Sequence, residues 1–258
     1  METLDMRLRI LIKGAPFLVF VKGMPSFLKD YQELRRQGKQ SGMIFPFAKL
    51  YPCMEDRYQK SGIASGHYFH QDLLVANKIF INKPDKHVDI GSRVDGFVAH
   101  VASFRHIEVF DIRELAVEIQ NIEFRCLDIM DKNFALRDYC DSVSCLHALE
   151  HFGLGRYGDK VDYNGHLLGW ENIYKILKPG GKFYFSVPIG KQRIEFNAHR
   201  VFSLEYLVNM ISSRYNIDSF SYVDDNGDLV KDAALDERSL KNSCSCNYGC
   251  GIFELTKI

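Results

Sequence analysis

The sequence predicts an α/β fold, a mostly parallel sheet with helices on both faces. Three observations carry this. Short apolar runs alternate with helically spaced ones from about residue 63 onward. The stretch Val88-Asp89-Ile90-Gly91-Ser92-Arg93-Val94-Asp95-Gly96 reads as a buried strand, a tight turn and the start of a helix. Acids recur just past the next two apolar runs, at Asp111 and Asp128.

The elements follow in order. Residues 1–62 read as an N-terminal extension, with a helix over Phe27–Arg36 and a break at Gly38–Gly42. The Gly/Ser-rich stretch Ser61–Gly66 is a loop, and residues 63–258 form the main domain. His67–Lys83 has helical spacing and stops at Pro84. Strands are expected at His87–Ile90, Ile107–Phe110, Glu123–Leu127, Ser142–Leu146, Lys182–Val187, Ile217–Val223 and Gly251–Thr256. Helices are expected at Gly96–Ser103, Phe134–Tyr139, Gly165–Leu177 and Ser203–Ser213, the last with Ser203 as its N-cap. Asn226-Gly227 marks a turn.

Ligands of parallel sheets bind at the carboxyl ends of the strands, near the point where strand order reverses. Strand ends therefore supply the candidate site. Gly91 lets the backbone turn close to a ligand, and the following helix offers free N–H groups. Asp111 lies 20 residues beyond Gly91, where an acid can accept from both ribose hydroxyls. Asp128 is placed to bind an exocyclic adenine amine, and Ile112 and Ile129 accompany these two acids. The fourth strand runs into Leu146-His147-Ala148-Leu149-Glu150-His151.

This ordered set resembles the class I S-adenosylmethionine-dependent methyltransferases. Asp89-Ile90-Gly91 is similar to their glycine-rich first motif, and Asp111 and Asp128 to their ribose and adenine acids. Leu149-Glu150-His151 and Leu177-Lys178-Pro179-Gly180-Gly181 are similar to their sequences after the fourth strand and before the fifth. The matches span about residues 84–190. The resemblance implies a Rossmann-like seven-stranded sheet, S-adenosylmethionine as cofactor, and methyl transfer. One departure stands out: the family's additional glycine is missing, and Ser92-Arg93-Val94-Asp95 fills the turn before Gly96. Arg93 is then a candidate to reach the methionine carboxylate. Arg93 also occupies the position where a nicotinamide dinucleotide needs a glycine beside its pyrophosphate, which argues against that cofactor.

A narrower resemblance rests on Gly66-His67-Tyr68-Phe69-His70-Gln71-Asp72 and on Val187–Lys191 with Asn197-Ala198-His199-Arg200. These look like a little-characterised methyltransferase-like family whose members often accompany bacterial surface-polysaccharide biosynthesis. The resemblance implies a sugar, a nucleotide-linked sugar or a capsule-decoration molecule as acceptor, methylated on oxygen. Tyr68 and Gln71 are candidates to close over the cofactor, although Tyr68, Phe69 and Leu73 could equally be core. His147 is counted with the cofactor residues.

A hydroxyl acceptor must be aligned and lose its proton. His199 is the preferred proton acceptor, histidine having a suitable pKa, with Glu150 and His151 as second choices. Asn197 and Arg200 are candidate acceptor ligands, Arg200 being equally able to anchor its loop.

Competing readings remain. His147-Ala148-Leu149-Glu150-His151 matches the His-x-x-Glu-His of some zinc hydrolases, but that chemistry needs both histidines on one helix face. Cys244, Cys246 and Cys250 lie close in sequence without a second ligand pair, so a cysteine-bearing strand is expected and no metal. A non-catalytic cofactor-binding scaffold is the other alternative.

Composition narrows the partners. Lys and Arg number 33 and Asp and Glu 33, which gives no support for nucleic-acid capture. Seven cysteines, an odd count, fit free thiols in a reducing cytoplasm better than a disulfide framework. The apolar start Leu8–Val21 is interrupted by Lys13, Gly14 and Pro16 and falls short of the roughly 20 residues a membrane span needs. It also lacks a small-residue cleavage site, so a docking helix or a homo-oligomer contact is expected there.

Overall fold

The computed structural model describes residues 15–258. The chain separates between Ile63 and Ala64 into two compact units.

In the first unit, helix α1 spans Ala15–Gln40, longer than the sequence suggests and with Pro25 inside it. Arg57 pairs with Asp30 at 2.7 Å, and Tyr31 meets Phe47 edge-on at 5.5 Å. Residues 8–14 of the apolar start lie outside the described residues. Among those described, no helix is long and apolar enough to cross a membrane.

The second unit is an eight-stranded sheet flanked by helices. Helix α2 (His67–Asn82) leads into β1 (His87–Ile90), then a π-type turn over Val94–Val98 and the short α3 (Ala99–Ala102). β2 (Ile107–Asp111), β3 (Ile122–Cys126) and β4 (Cys140–Leu146) follow, then α4 (Gly165–Ile176) and the long β5 (Leu177–Ile189). The hairpin β6 (Arg193–Glu195) and β7 (His199–Val201) precedes α5 (Leu204–Ser212). The chain closes with β8 (Tyr215–Val223), β9 (Leu229–Val230), α6 (Glu237–Asn242) and β10 (Gly249–Lys257).

The strand order is β3-β2-β1-β4-β5-β10-β8-β9. Strands β1 to β5 pair in parallel, and β10 runs antiparallel between β5 and β8. Seven of these strands match the expected sheet; the eighth, β9, has two residues and pairs only with β8. Order reverses between β1 and β4, central strands whose residues are almost all buried, including the polar His87, Asp89, Ser142 and Ser144.

Each face of the sheet has its own core. On one side Val88, Phe110, Cys145, Phe183 and Phe185 pack with Trp170 and Ile173 of α4 and Leu207 of α5. On the other, Val109, Tyr184 and Ile252 pack with Val75 and Ile79 of α2 and Val101 of α3. The period of two along a strand assigns the faces.

Two local expectations fail for physical reasons. Phe134–Tyr139 forms no helix, because its end is tied elsewhere: Asp138 and Tyr139 donate their main-chain N–H groups to the carbonyls of Lys175 and Ile176. Tyr68, Phe69 and Leu73 are not core, since the buried stripe of α2 is Gln71, Asp72, Val75, Ala76 and Ile79. Ser203 does cap α5, accepting from the Tyr206 N–H.

Candidate functional site

A cavity of about 720 Å³ opens at the carboxyl ends of β1 to β4, at the reversal of strand order. That volume suits a cofactor-sized ligand. One end is built by consecutive motifs. Gly91 has φ +77°, a conformation L side chains avoid, and a Cβ there would stand 3.0 Å from that of Ala148. Gly91 N–H donates to the Phe110 carbonyl, which ties the turn to β2.

Asp89 does not line the cavity; it is fully buried behind the turn and braces it. Its carboxylate accepts from Ser92 N–H (3.0 Å), Ser92 Oγ (2.9 Å) and Ser144 Oγ (2.5 Å). Burial pushes Asp89 up to about 7, against the lowering effect of those hydrogen bonds. Ser144 Oγ also meets His87 Nε2, and Ser142 Oγ meets His87 Nδ1, so a buried polar chain crosses from β1 to β4. Burial holds His87 down at about 3.

Ser92, Arg93, Gly96, Asp111, Ile112, Asp128 and Ile129 all line the cavity. Asp111 is bound on both carboxylate oxygens by the Arg113 guanidinium, and its Oδ1 also accepts the Arg113 main-chain N–H. Asp128 Oδ1 accepts from the Met130 N–H, forming the bend after β3. Arg93 is exposed and pairs with Asp95 at 2.7 Å, rather than turning inward.

Helix α2 contributes Tyr68, Gln71 and Asp72. Gln71 is committed inward: it accepts from Ser186 Oγ and donates to Asp72 Oδ1 at 2.9 Å. Asp72 is the acid that sequence reasoning missed here; burial raises its pKa, and a Cβ on Gly96 would sit 3.3 Å from its Oδ2. Its position in the buried stripe of an otherwise ordinary helix was the available signal.

The other end gathers His147, Glu150, His151, His199 and Tyr248. Glu150 is fully buried, with Oε1 2.8 Å from His147 Nδ1 and 3.7 Å from His151 Nε2. Burial would raise Glu150, but the two histidines hold it below its ordinary value. Burial would lower His147, yet Cys250 and Glu150 outweigh it and raise the group well above the ordinary range. Burial lowers His151, whose Nδ1–H donates to the Ala198 carbonyl at 2.7 Å. Glu150 therefore holds its two neighbours through Oε1, while its Oε2 has no hydrogen-bond partner among the described residues.

His199 stands on β7, in a hairpin and not the loop expected from sequence. Its ring lies 5.0 Å from that of Tyr248, and its Nε2 is 3.2 Å from Glu195 Oε2. Two acceptor candidates fall away. Asn197 is exposed at the hairpin tip and outside the cavity wall. Arg200 is buried, and its guanidinium donates to the carbonyls of Glu150, Phe152 and Tyr163, so it anchors the loop.

The His-x-x-Glu-His zinc reading also fails geometrically. His147 stands just past β4 with φ +50°, while Glu150 and His151 lie in a 3₁₀ turn, so the histidines share no helix face. His147 instead meets His67 and Cys250, residues far away in sequence: their ligand atoms lie within 4.8 Å of one another. Burial, aided by the neighbouring His147, lowers His67 to about 4. All seven cysteines are free.

No curated protein matches the sequence. Solved structures share the fold at low identity. N-methyltransferase NodS from Bradyrhizobium japonicum aligns at TM-score 0.51 and 11% identity, covering 76% of this chain and 99% of its own. The [4+2]-cyclase SpnF aligns at 0.52 and 14%, covering 73% and 80%. A 1,6-didemethyltoxoflavin-N1-methyltransferase from Burkholderia thailandensis aligns at 0.50 and 12%, covering 72% and 78%. The fold is thus the Rossmann-like fold of these proteins, and one of them is named for a reaction other than methyl transfer. A family model matches residues 95–247, more than half of the chain, and by that match the protein belongs to the family described as Caenorhabditis protein of unknown function, DUF268.

Proposed function

We propose that this protein is an S-adenosylmethionine-dependent methyltransferase acting on oxygen of a sugar, a nucleotide-linked sugar or a capsule-decoration small molecule. One observation carries the reading: a glycine turn and the strand-end acids Asp111 and Asp128 converge on a single cavity where strand order reverses. The chemistry of the cavity suits that cofactor. Asp111 accepts only, as ribose hydroxyls require; the three Arg113 contacts leave one of the carboxylate's four lone-pair sites free, on Oδ2, so binding both hydroxyls would displace part of the Arg113 contact. Asp128 accepts from an adenine amine, between the apolar walls of Ile112, Leu127 and Ile129. Asp72 lines the same cavity and would be the carboxylate available to the methionine ammonium. The fold shared with NodS and the Burkholderia enzyme supports the assignment.

When bound, S-adenosylmethionine supplies an electrophilic methyl carbon on a sulfonium sulfur. The chain's own part is to hold an acceptor oxygen in line and to take its proton. His199 is the proposed proton acceptor, with Glu195 stabilising the cation it becomes. His151 is the second choice, its ring oriented through Ala198. Free thiols fit a reducing compartment, the cytoplasm.

The test is transfer of a labelled methyl group to a panel of sugars and nucleotide-linked sugars. Label is expected in product, and His199→Ala should lower kcat by about 10²–10⁴-fold. Unchanged turnover in His199→Ala would remove that role. Cofactor binding with no transfer to any acceptor would favour a non-catalytic scaffold.

A further inference from the structure

The geometry points to a zinc-class metal site made by His67, His147 and Cys250, with one coordination position open. It stands independently of the proposed methyl transfer. His67 begins α2, His147 directly follows β4, and Cys250 lies near the start of β10, on the far side of β5 from β4. The fold brings two imidazoles and a thiol to one point from three separate elements.

Four features fit a metal. The three ligand atoms lie within 4.8 Å of one another. Tetrahedral zinc at its usual bond lengths separates N and S ligands by about 3.5 Å, so a modest contraction closes the site. His147 is buried, and its Nε2 has no hydrogen-bond partner. Its Nδ1 is engaged by the carboxylate of Glu150 at 2.8 Å, the arrangement that fixes the tautomer of a metal-bound histidine and leaves Nε2 to coordinate. Finally, the Cys250 thiol makes long contacts of 3.9 Å to Gln71 Oε1 and the Gly251 carbonyl, and its other neighbour is the His147 ring.

The donor set is selective. Two imidazole nitrogens and a thiolate suit zinc or cobalt and not magnesium or calcium. Three protein ligands leave the fourth position for water or an oxygen or sulfur of a bound molecule, the pattern of sites that do chemistry. His147 lines the cavity, so the site borders its acceptor end. A bare cysteine–histidine nucleophile is the competing use of these atoms. Cys250 is fully buried and absent from the cavity wall, which disfavours it.

The experiment is cobalt titration of the intact, metal-stripped protein, read by visible and near-ultraviolet absorption, with zinc competition. One equivalent should bind, giving tetrahedral ligand-field bands and a thiolate-to-cobalt charge-transfer band. Cys250→Ala should abolish the charge-transfer band, and His67→Ala should weaken binding. Glu150→Gln should lower affinity about 10–100-fold. Cys246→Ser should bind as the intact chain does. Circular dichroism and thermal melting confirm that each variant is folded. The assignment is overturned by failure to bind one equivalent, by a charge-transfer band that survives Cys250→Ala, or by loss of binding in folded Cys246→Ser. Rapid alkylation of Cys250 at neutral pH with zinc present would also overturn it, in favour of a thiolate–imidazolium pair.

Discussion

The two ends of the cavity are built differently. The end formed by β1, β2 and β3 takes its residues from short consecutive segments, each a strand end and the turn after it: Gly91–Gly96, Asp111–Arg113, Asp128–Met130. The opposite end takes His147, His151, His199 and Tyr248 from elements spread over a hundred residues, with His67 and Cys250 just behind. The first end is set by backbone geometry and the second by side chains that hold one another. Substitution should therefore act locally at the first end and spread at the second.

Arg200→Ala is the strongest way to break the second end. It would leave the carbonyls of Glu150, Phe152 and Tyr163 without their donor, at a loss of about 4 kcal/mol in stability by denaturant unfolding. Arg200→Lys should recover little, since an ammonium cannot span three carbonyls as a planar fork does. A loss under 1 kcal/mol in Arg200→Ala would show that this end does not depend on the anchor.

At the first end, Gly91→Ala tests the backbone claim directly. The positive φ and the 3.0 Å approach to Ala148 predict about 2 kcal/mol of destabilisation. An unchanged melting temperature would mean that the turn relaxes freely.

The buried chain behind the turn predicts a pH signature. His87 is held neutral by burial, with Arg105 acting the same way and Asp141 opposing. Its contribution to stability is present above the ordinary histidine pKa of about 6.5 and is lost as pH falls toward 3. Asp89 has the opposite sign: burial, and to a lesser degree Asp72, raise it. Its contribution is present below the ordinary aspartate pKa of about 3.9 and is lost as pH rises through 7. Between pH 4 and 6.5 the two oppose each other. On acidification across that window Asp89→Asn should lose stability, by up to about 1.4 kcal/mol per pH unit, while His87→Gln should gain it by a similar amount. Denaturant midpoints at four pH values measure this, and parallel profiles would contradict it.

The smallest effect is expected from Arg93→Ala. An exposed pair with Asp95 is worth about 0–1 kcal/mol, so stability should move by less than 0.5 kcal/mol. A tenfold loss of cofactor affinity would show instead that Arg93 swings inward to the methionine carboxylate, as the sequence suggests.

What could be read in advance follows the same division. Asp111 and Asp128 were recognisable because their meaning lies in their distance along the chain from a glycine turn. The sheet was legible because short strand-forming runs alternate with helically spaced ones along the chain. Arg200 and Asn197 were misplaced as acceptor ligands because a side chain's partner in a loop depends on tertiary contacts. The Phe134–Tyr139 helix failed for the same reason, its main-chain groups being claimed by the end of α4. The meeting of His67, His147 and Cys250 was invisible, because no spacing links positions brought together only by sheet order.

The central claim is that the first end of the cavity binds S-adenosylmethionine. Calorimetry of the intact chain and of Asp111→Ala, with S-adenosylmethionine and with NAD, tests it most directly. The account predicts one-to-one binding of S-adenosylmethionine, about 10–100-fold weaker in Asp111→Ala for the loss of charge-assisted hydrogen bonds, and no binding of NAD. Binding of NAD alone, or equal affinity for S-adenosylmethionine in both proteins, would contradict it.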